Sequence, residues 1–147
     1  MSTPQTTHRN KILVRRIYED CINTGQLERL AEMVGDDYVG ALGEKGAAGF
    51  AGNIESLRKG FPDICFTIED LIAEEDRVVV RWRWSGTHNG SFMGIPPSQK
   101  QVSNTGITVY QVKSDKVVHS WLQADRLGVL QQIGVIPPNA LPKPQPK

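Results

Sequence analysis

An α+β fold follows from a change of hydrophobic period along the chain. Before Pro62 the apolar residues recur at helical spacing, and beyond it they alternate as strands do. Tight turns separate the strands, so these form an antiparallel meander with the helices gathered against one face. A curved sheet covered by helices can enclose a pocket.

The first helix is expected over residues 9–23. Leu13, Ile17 and Cys21 repeat every four residues, with Val14, Tyr18 and Ile22 alongside, and Gly25 is placed to end the segment. Leu27, Leu30, Ala31 and Val34 give a second short helix over residues 26–34. Residues 36–49 hold four glycines, directly after Gly35, and leave room for short edge strands at most. Phe50, Ile54, Leu57 and Phe61 then keep helical spacing until Pro62 stops it. Strands are expected over residues 65–73, 77–87, 102–112 and 117–124. Glu75-Asp76 and Ser114-Asp115 form turns, and residues 88–97 form a glycine- and proline-rich loop. A last short helix covers residues 126–133. Residues 1–10 read as an N-terminal tail and 11–136 as the domain. Residues 137–147, with five of the nine prolines, read as an extended C-terminal tail.

Composition narrows the function by exclusion. The 147 residues suffice for one domain with a substantial core, and 39% hydrophobic against 22% charged residues is ordinary for a globular protein. The net charge is +1, and Lys143 and Lys147 in the tail account for more than that excess, so the rest carries −1. Neither nucleic acid nor an anionic membrane is an expected partner. No apolar run approaches the roughly 20 residues of a spanning helix, and the first residues lack the apolar core of a signal peptide. Cys21 and Cys65, each within an apolar pattern, read as two small buried hydrophobes rather than a disulfide framework. A cytoplasmic protein is expected.

The strand faces suggest the pocket wall. Val78, Val80, Trp82 and Trp84 share one face, opposite Val79, Arg81, Arg83 and Ser85. In the last strand His119, Trp121, Gln123 and Asp125 share a face opposite Val118, Ser120, Leu122 and Ala124. That mixture of aromatic bulk and a few polar groups fits a pocket. Asp125 among apolar neighbours has its charged form disfavoured, which suits a general base. It also directly precedes the last helix, where it serves equally well as an N-cap. His119 is a candidate for assisting proton transfer, or simply a histidine bonded within the sheet. His88, where the tryptophan strand enters the glycine loop, is a substrate contact or an exposed turn residue. Tyr18 either turns its hydroxyl into the pocket or belongs to the core.

Phosphate loops, a metal-binding histidine pair and a serine nucleophile elbow are absent from the sequence. No metal and no cofactor is expected. Proton abstraction beside a carbonyl suits this inventory of carboxylate, imidazole and dry pocket.

Four segments carry a resemblance that runs over residues 11–134: IYEDCINTGQLERLAEMVGDDYV, GFPDICFTIEDLIAEEDRVVVRW, SGTHNGSFMGIPPSQKQV and HSWLQADRLGVLQQIG. The chain resembles the SnoaL-like polyketide cyclases, or ester cyclases, of the nuclear-transport-factor-2-like superfamily. The resemblance implies a cone-shaped α+β barrel, with a curved antiparallel sheet wrapped by N-terminal helices around a deep hydrophobic cavity. It also implies a cavity aspartate acting as general acid/base in an intramolecular aldol condensation without metal or cofactor. That aspartate, in the W-x-x-x-D motif, maps to Asp125, and the histidine of the GTH motif maps to His88. Trp121 and Tyr18 fall where cavity-lining residues fall, and His119 replaces a residue that is frequently acidic. Where the family usually places a cavity-facing histidine or asparagine, Gly40, Ala41, Leu42 and Gly43 follow Val39, so one polar contact is expected to be missing.

The expected function is a cyclase-type enzyme acting on a small hydrophobic carbonyl substrate. Asp125 serves as base, His88 or His119 holds the oxyanion, and Tyr18, Trp82, Trp84, Trp121 and Gln123 line the substrate site. By resemblance it forms a homodimer or homotetramer. A ketosteroid-isomerase-like enzyme and a non-catalytic small-molecule-binding domain are the alternatives. An epoxide hydrolase is disfavoured, because Arg81 and Arg83 face away from Trp82 and Trp84.

Overall fold

The computed structural model describes residues 3–140. Helix α1 (Pro4–Arg16) begins well before the apolar stripe, because Thr3 caps it by accepting from the Thr6 N–H and Pro4 occupies the first turn. Residues 4–10, expected as a tail, are therefore helical, and Asn10 is buried. The same helix continues as a π-helical segment (Ile17–Ile22), with the Asn23 N–H donating to the Tyr18 carbonyl at 2.9 Å. Its wider turn turns Ile17, Tyr18, Cys21 and Ile22 all to the buried side. Gly25, at φ +76°, makes the left-handed turn that ends it. A 3₁₀ turn (Leu27–Glu32) stands where a short helix was expected.

Strand β1 (Val34–Val39) lies partly in the segment read as loose. It pairs parallel with β5 through Val34–Val117 and Val39–His119. Gly35 and the exposed Asp36 and Asp37 interrupt its hydrophobic alternation, which hides it in the sequence. Helix α2 (Gly46–Gly60) starts before Phe50 and ends ahead of Pro62 as expected.

The remaining strands are β2 (Cys65–Glu74), β3 (Arg77–Thr87), β4 (Gln101–Lys113) and β5 (Lys116–Ala124), followed by α3 (Arg126–Gln132). The sheet order is β1-β5-β4-β3-β2, antiparallel from β5 to β2, with the parallel β1 added at the edge. Burial in β3 alternates as the sequence implied, with Val78, Val80, Trp82 and Trp84 inside. Cys21 is buried, but Cys65 is exposed at the start of β2, so only one of the two cysteines is a core residue. Helix α3 is stitched to β4 by Gln132, whose side chain accepts from the Ser103 N–H (2.8 Å) and donates to the Ser103 carbonyl (2.9 Å). The C-terminal tail lies outside the described residues beyond Ala140.

The faces of β5 correct the sequence reading. Between the Gln111–His119 and Val112–Val117 pairs the register shifts, and Val118 is an extra residue in β5. Val117 is buried before this bulge, and Ser120, Leu122 and Ala124 face inward after it. Trp121 is 41% exposed and Gln123 is exposed, so His119, Trp121 and Gln123 belong to the outer face.

Candidate active site

The concave face of the sheet, the π-helical segment, α2, loop 88–100 and the start of α3 enclose a cavity of about 410 Å³. That is a volume typical of small-molecule sites. Its walls are aromatic: Phe50 from α2, Phe66 from β2, Trp82 and Trp84 from β3, and Phe92 from the loop. On β4 a Cβ at position 106 would run into the Trp82 indole, so Gly106 makes room for that ring against the strand.

Polar groups gather between the π-helical segment, β1, β4 and β5. The Tyr18 and Tyr110 hydroxyls are 2.7 Å apart, and the Tyr38 and Ser120 hydroxyls are also 2.7 Å apart. The Trp82 Nε1–H donates to Thr108 Oγ1 at 3.0 Å. Burial pushes the Tyr18 phenol up to about 12 and the Tyr110 phenol well above its ordinary value. The Tyr38 phenol is raised too, by burial first and then by the neighbouring Glu44 charge. All three are thus protonated hydrogen-bonding groups at neutral pH and not bases.

The charged residues of the lining are Glu44 and Arg126. Both carboxylate oxygens of Glu44 accept from the Leu42 N–H, at 3.0 and 3.1 Å. A side chain at position 40 would collide with this carboxylate, so Gly40 makes room for it. The polar contact expected to be missing after Val39 is therefore supplied by Glu44, with Tyr38 beside it. Among the described residues no group of three or more His, Cys, Asp or Glu could hold a metal ion.

A protein-family model for the SnoaL-like polyketide cyclases matches residues 12–133. The chain belongs to the SnoaL-like polyketide cyclase family. Solved structures agree with that membership. A candidate SnoaL-like polyketide cyclase from Jannaschia sp. CCS1 superposes with a TM-score of 0.82 at 22% identity, covering 93% of this chain and 99% of that one. A candidate polyketide cyclase from Acidithiobacillus ferrooxidans gives 0.77 at 30% identity over 90% and 97% of the two chains. AclR, a candidate hydroxylase from Streptomyces galilaeus, gives 0.81 at 27% identity over 93% and 87%. No curated protein sequence matches the chain at a significant level.

Within this SnoaL-like architecture Tyr18, Trp82 and Trp84 line the cavity together. The other residues singled out in the sequence lie elsewhere. Asp125 is exposed, and its Oδ1 accepts from the Gly128 N–H at 2.9 Å as the N-cap of α3. Of the two readings open for it, the cap is the one its contacts match. His119 packs edge-on against Trp121 on the outer face, ring centroids 4.2 Å apart, with the Arg77 guanidinium 4.7 Å from the Trp121 ring. Gln123 shares that face. His88 is fully buried but stands behind the cavity wall against Phe61, and is not an exposed turn residue. Its Nδ1 accepts from the Ser98 N–H (3.1 Å) and pairs with the Ser98 hydroxyl (2.8 Å), while Nε2 has no partner.

The site residues that the sequence did not disclose are Tyr38, Glu44, Asn104, Thr108, Tyr110, Ser120 and Arg126. Tyr110, Thr108 and Asn104 share parity along β4, and that alternation was the available signal. Glu44 lies in irregular backbone, where no period exists to reveal it.

Proposed function

We propose that this SnoaL-like protein is an enzyme that carries out cofactor-independent acid/base chemistry, an intramolecular aldol cyclisation, on a small hydrophobic carbonyl substrate. The protonated tyrosine pair in a hydrophobic cavity is the observation that supports this most. Two hydroxyls in contact use one proton between them, which leaves the second phenol proton to bind a carbonyl oxygen and the enolate that develops there. Glu44 is the lining carboxylate and takes the part of base. It removes a proton from the carbon beside that carbonyl, and the enolate carbon attacks a second carbonyl of the same substrate. A C–C bond forms as that C=O π bond breaks, and the alkoxide recovers the proton from Glu44. Asp125, which the family motif puts forward as base, enters here as a positioning residue that fixes the first turn of α3 and with it Arg126.

The test follows proton abstraction alone, by nuclear magnetic resonance of deuterium exchange at the α-carbon of a hydrophobic diketone probe. Glu44→Gln is expected to slow the catalysed exchange by roughly 10²–10⁴-fold, and Asp125→Asn to leave most of it. Full exchange in Glu44→Gln together with loss in Asp125→Asn would return the base to Asp125. Among the described residues the phenol pair hydrogen-bonds to no carboxylate or imidazole, which favours a second reading, a non-catalytic binding domain. Wild-type protein that binds the probe without exchanging it would establish that reading. A ketosteroid-isomerase-like double-bond shift would use the same base and phenols and differ in its product.

We also propose a homodimer or homotetramer built through the outer sheet face. Ile72, Val79, Val109 and Trp121 lie in register across four strands, and Ile72, Trp121 and the adjacent Ile107 are 60%, 41% and 48% exposed. Two free thiols are in keeping with a cytoplasmic setting. Among the described residues no helix is long and apolar enough to cross a membrane.

A further inference from the structure

Asn104 is a cavity residue with no task inside the protein. It is 7% exposed, lines the cavity and stands directly across from Trp84 on β3. Its Oδ1 is buried without a hydrogen-bond partner, and its side-chain amide makes no hydrogen bond among the described residues. Burying an amide unpaired disfavours folding, and an apolar side chain of similar size would avoid that cost. The other buried unpartnered atom, His88 Nε2, lies outside the cavity lining and faces no ligand space.

The place of Asn104 along β4 makes the cavity two-ended. Asn104, Gly106, Thr108 and Tyr110 succeed one another on the inner face. A strand rise of about 3.3 Å per residue sets Asn104 about 13 Å from Thr108 and about 20 Å from Tyr110. The Trp82 indole covers Gly106 between them. One end thus offers phenol protons, the middle is occupied by the Trp82 indole, and the other end offers a side-chain amide with donor and acceptor side by side.

We propose that Asn104 is a specificity-determining residue, which reads an edge of the ligand carrying an adjacent hydrogen-bond donor and acceptor. An amide, a lactam or an enolised dicarbonyl has such an edge, and a simple ketone or ester does not. The ligand is then an elongated, flat, largely apolar molecule with this edge at the Asn104 end. The inference rests on the cavity being the ligand site, and it requires no particular reaction there.

Calorimetric titration with three probes of similar size separates the two ideas: naphthamide (donor and acceptor), acetonaphthone (acceptor alone) and ethylnaphthalene (neither). Wild-type protein is expected to prefer naphthamide over acetonaphthone by about tenfold. Asn104→Leu should lose that preference through weaker binding of naphthamide while still taking ethylnaphthalene. Asn104→Asp, which keeps the shape and an acceptor but loses the donor, should also lose it. Equal binding of naphthamide and acetonaphthone by the wild type, or an undiminished preference in both variants, would overturn the role of Asn104 and leave the cavity standing as the site. Failure of all three probes to bind wild-type protein would overturn the cavity as the site, and this inference with it.

Discussion

Tyr18 owes its chemistry to its place on the π-helical segment, whose wider turn carries the phenol to a buried contact with Tyr110. A phenol whose folded value is raised stabilises the protein below the unfolded value of 10.0, and that stability is lost as the pH rises towards about 12. Alkaline titration should therefore show tyrosinate absorbance appearing together with loss of near-ultraviolet circular dichroism in this window, and Tyr18→Phe should shift the transition upward. Tyrosinate formed at its ordinary value with the fold intact would contradict the burial. Trp82 and Trp84 were legible because β3 keeps a strict period, whereas Tyr18 stayed open between pocket and core because it sits on the π-helical segment. His119, Trp121 and Gln123 were misplaced because one bulge residue, Val118, reverses every side chain after it. Asp125 shows the limit of residue type as a guide. A carboxylate before a helix is both a plausible base and an ordinary cap, and only its bond to Gly128 separates the two.

The elements differ in how securely they are held. Loop 88–100 forms one wall of the cavity through Phe92, and the Asn89 and Gly90 N–H groups tie it to α2 by donating to the Gly60 carbonyl at 3.1 Å. His88 closes the loop on itself. The His88 N–H donates to the Lys100 carbonyl and the Gln99 N–H to the His88 carbonyl, both at 2.9 Å, while the ring receives Ser98. Just before the loop, at the end of β3, the Asp63 carboxylate is held below its usual range by the Thr87 backbone N–H at 2.6 Å. His88→Ala is expected to cost about 1–3 kcal/mol and to speed hydrogen exchange at the Ser98 and Gln99 amides more than in the sheet. Uniform acceleration across the protein would deny His88 this local role. The meander was visible in the sequence almost residue by residue, because its strands alternate and its turns are short. Strand β1 was not, since Gly35, Asp36 and Asp37 break its pattern and its partner lies far away in the chain.

At the scale of the whole molecule the sheet has two unlike faces, one around the cavity and one carrying the in-register row from Ile72 to Trp121. Trp121→Lys should leave the cavity intact and yield monomers in sedimentation velocity experiments, where the wild type is expected to sediment as a larger species. A wild-type monomer at micromolar concentration would remove the outer face as an assembly surface. The parallel pairing of β1 with β5 also has a kinetic meaning. It joins positions roughly 80 residues apart, so its loop-closure entropy is met only after the local hairpins have formed. The cavity is then expected to close last in folding and to open first in unfolding. Val34→Ala should accelerate unfolding and leave refolding nearly unchanged in stopped-flow measurements. Any molecule held inside would act as a brake on that opening, lengthening the lifetime of the native state without touching how it is reached.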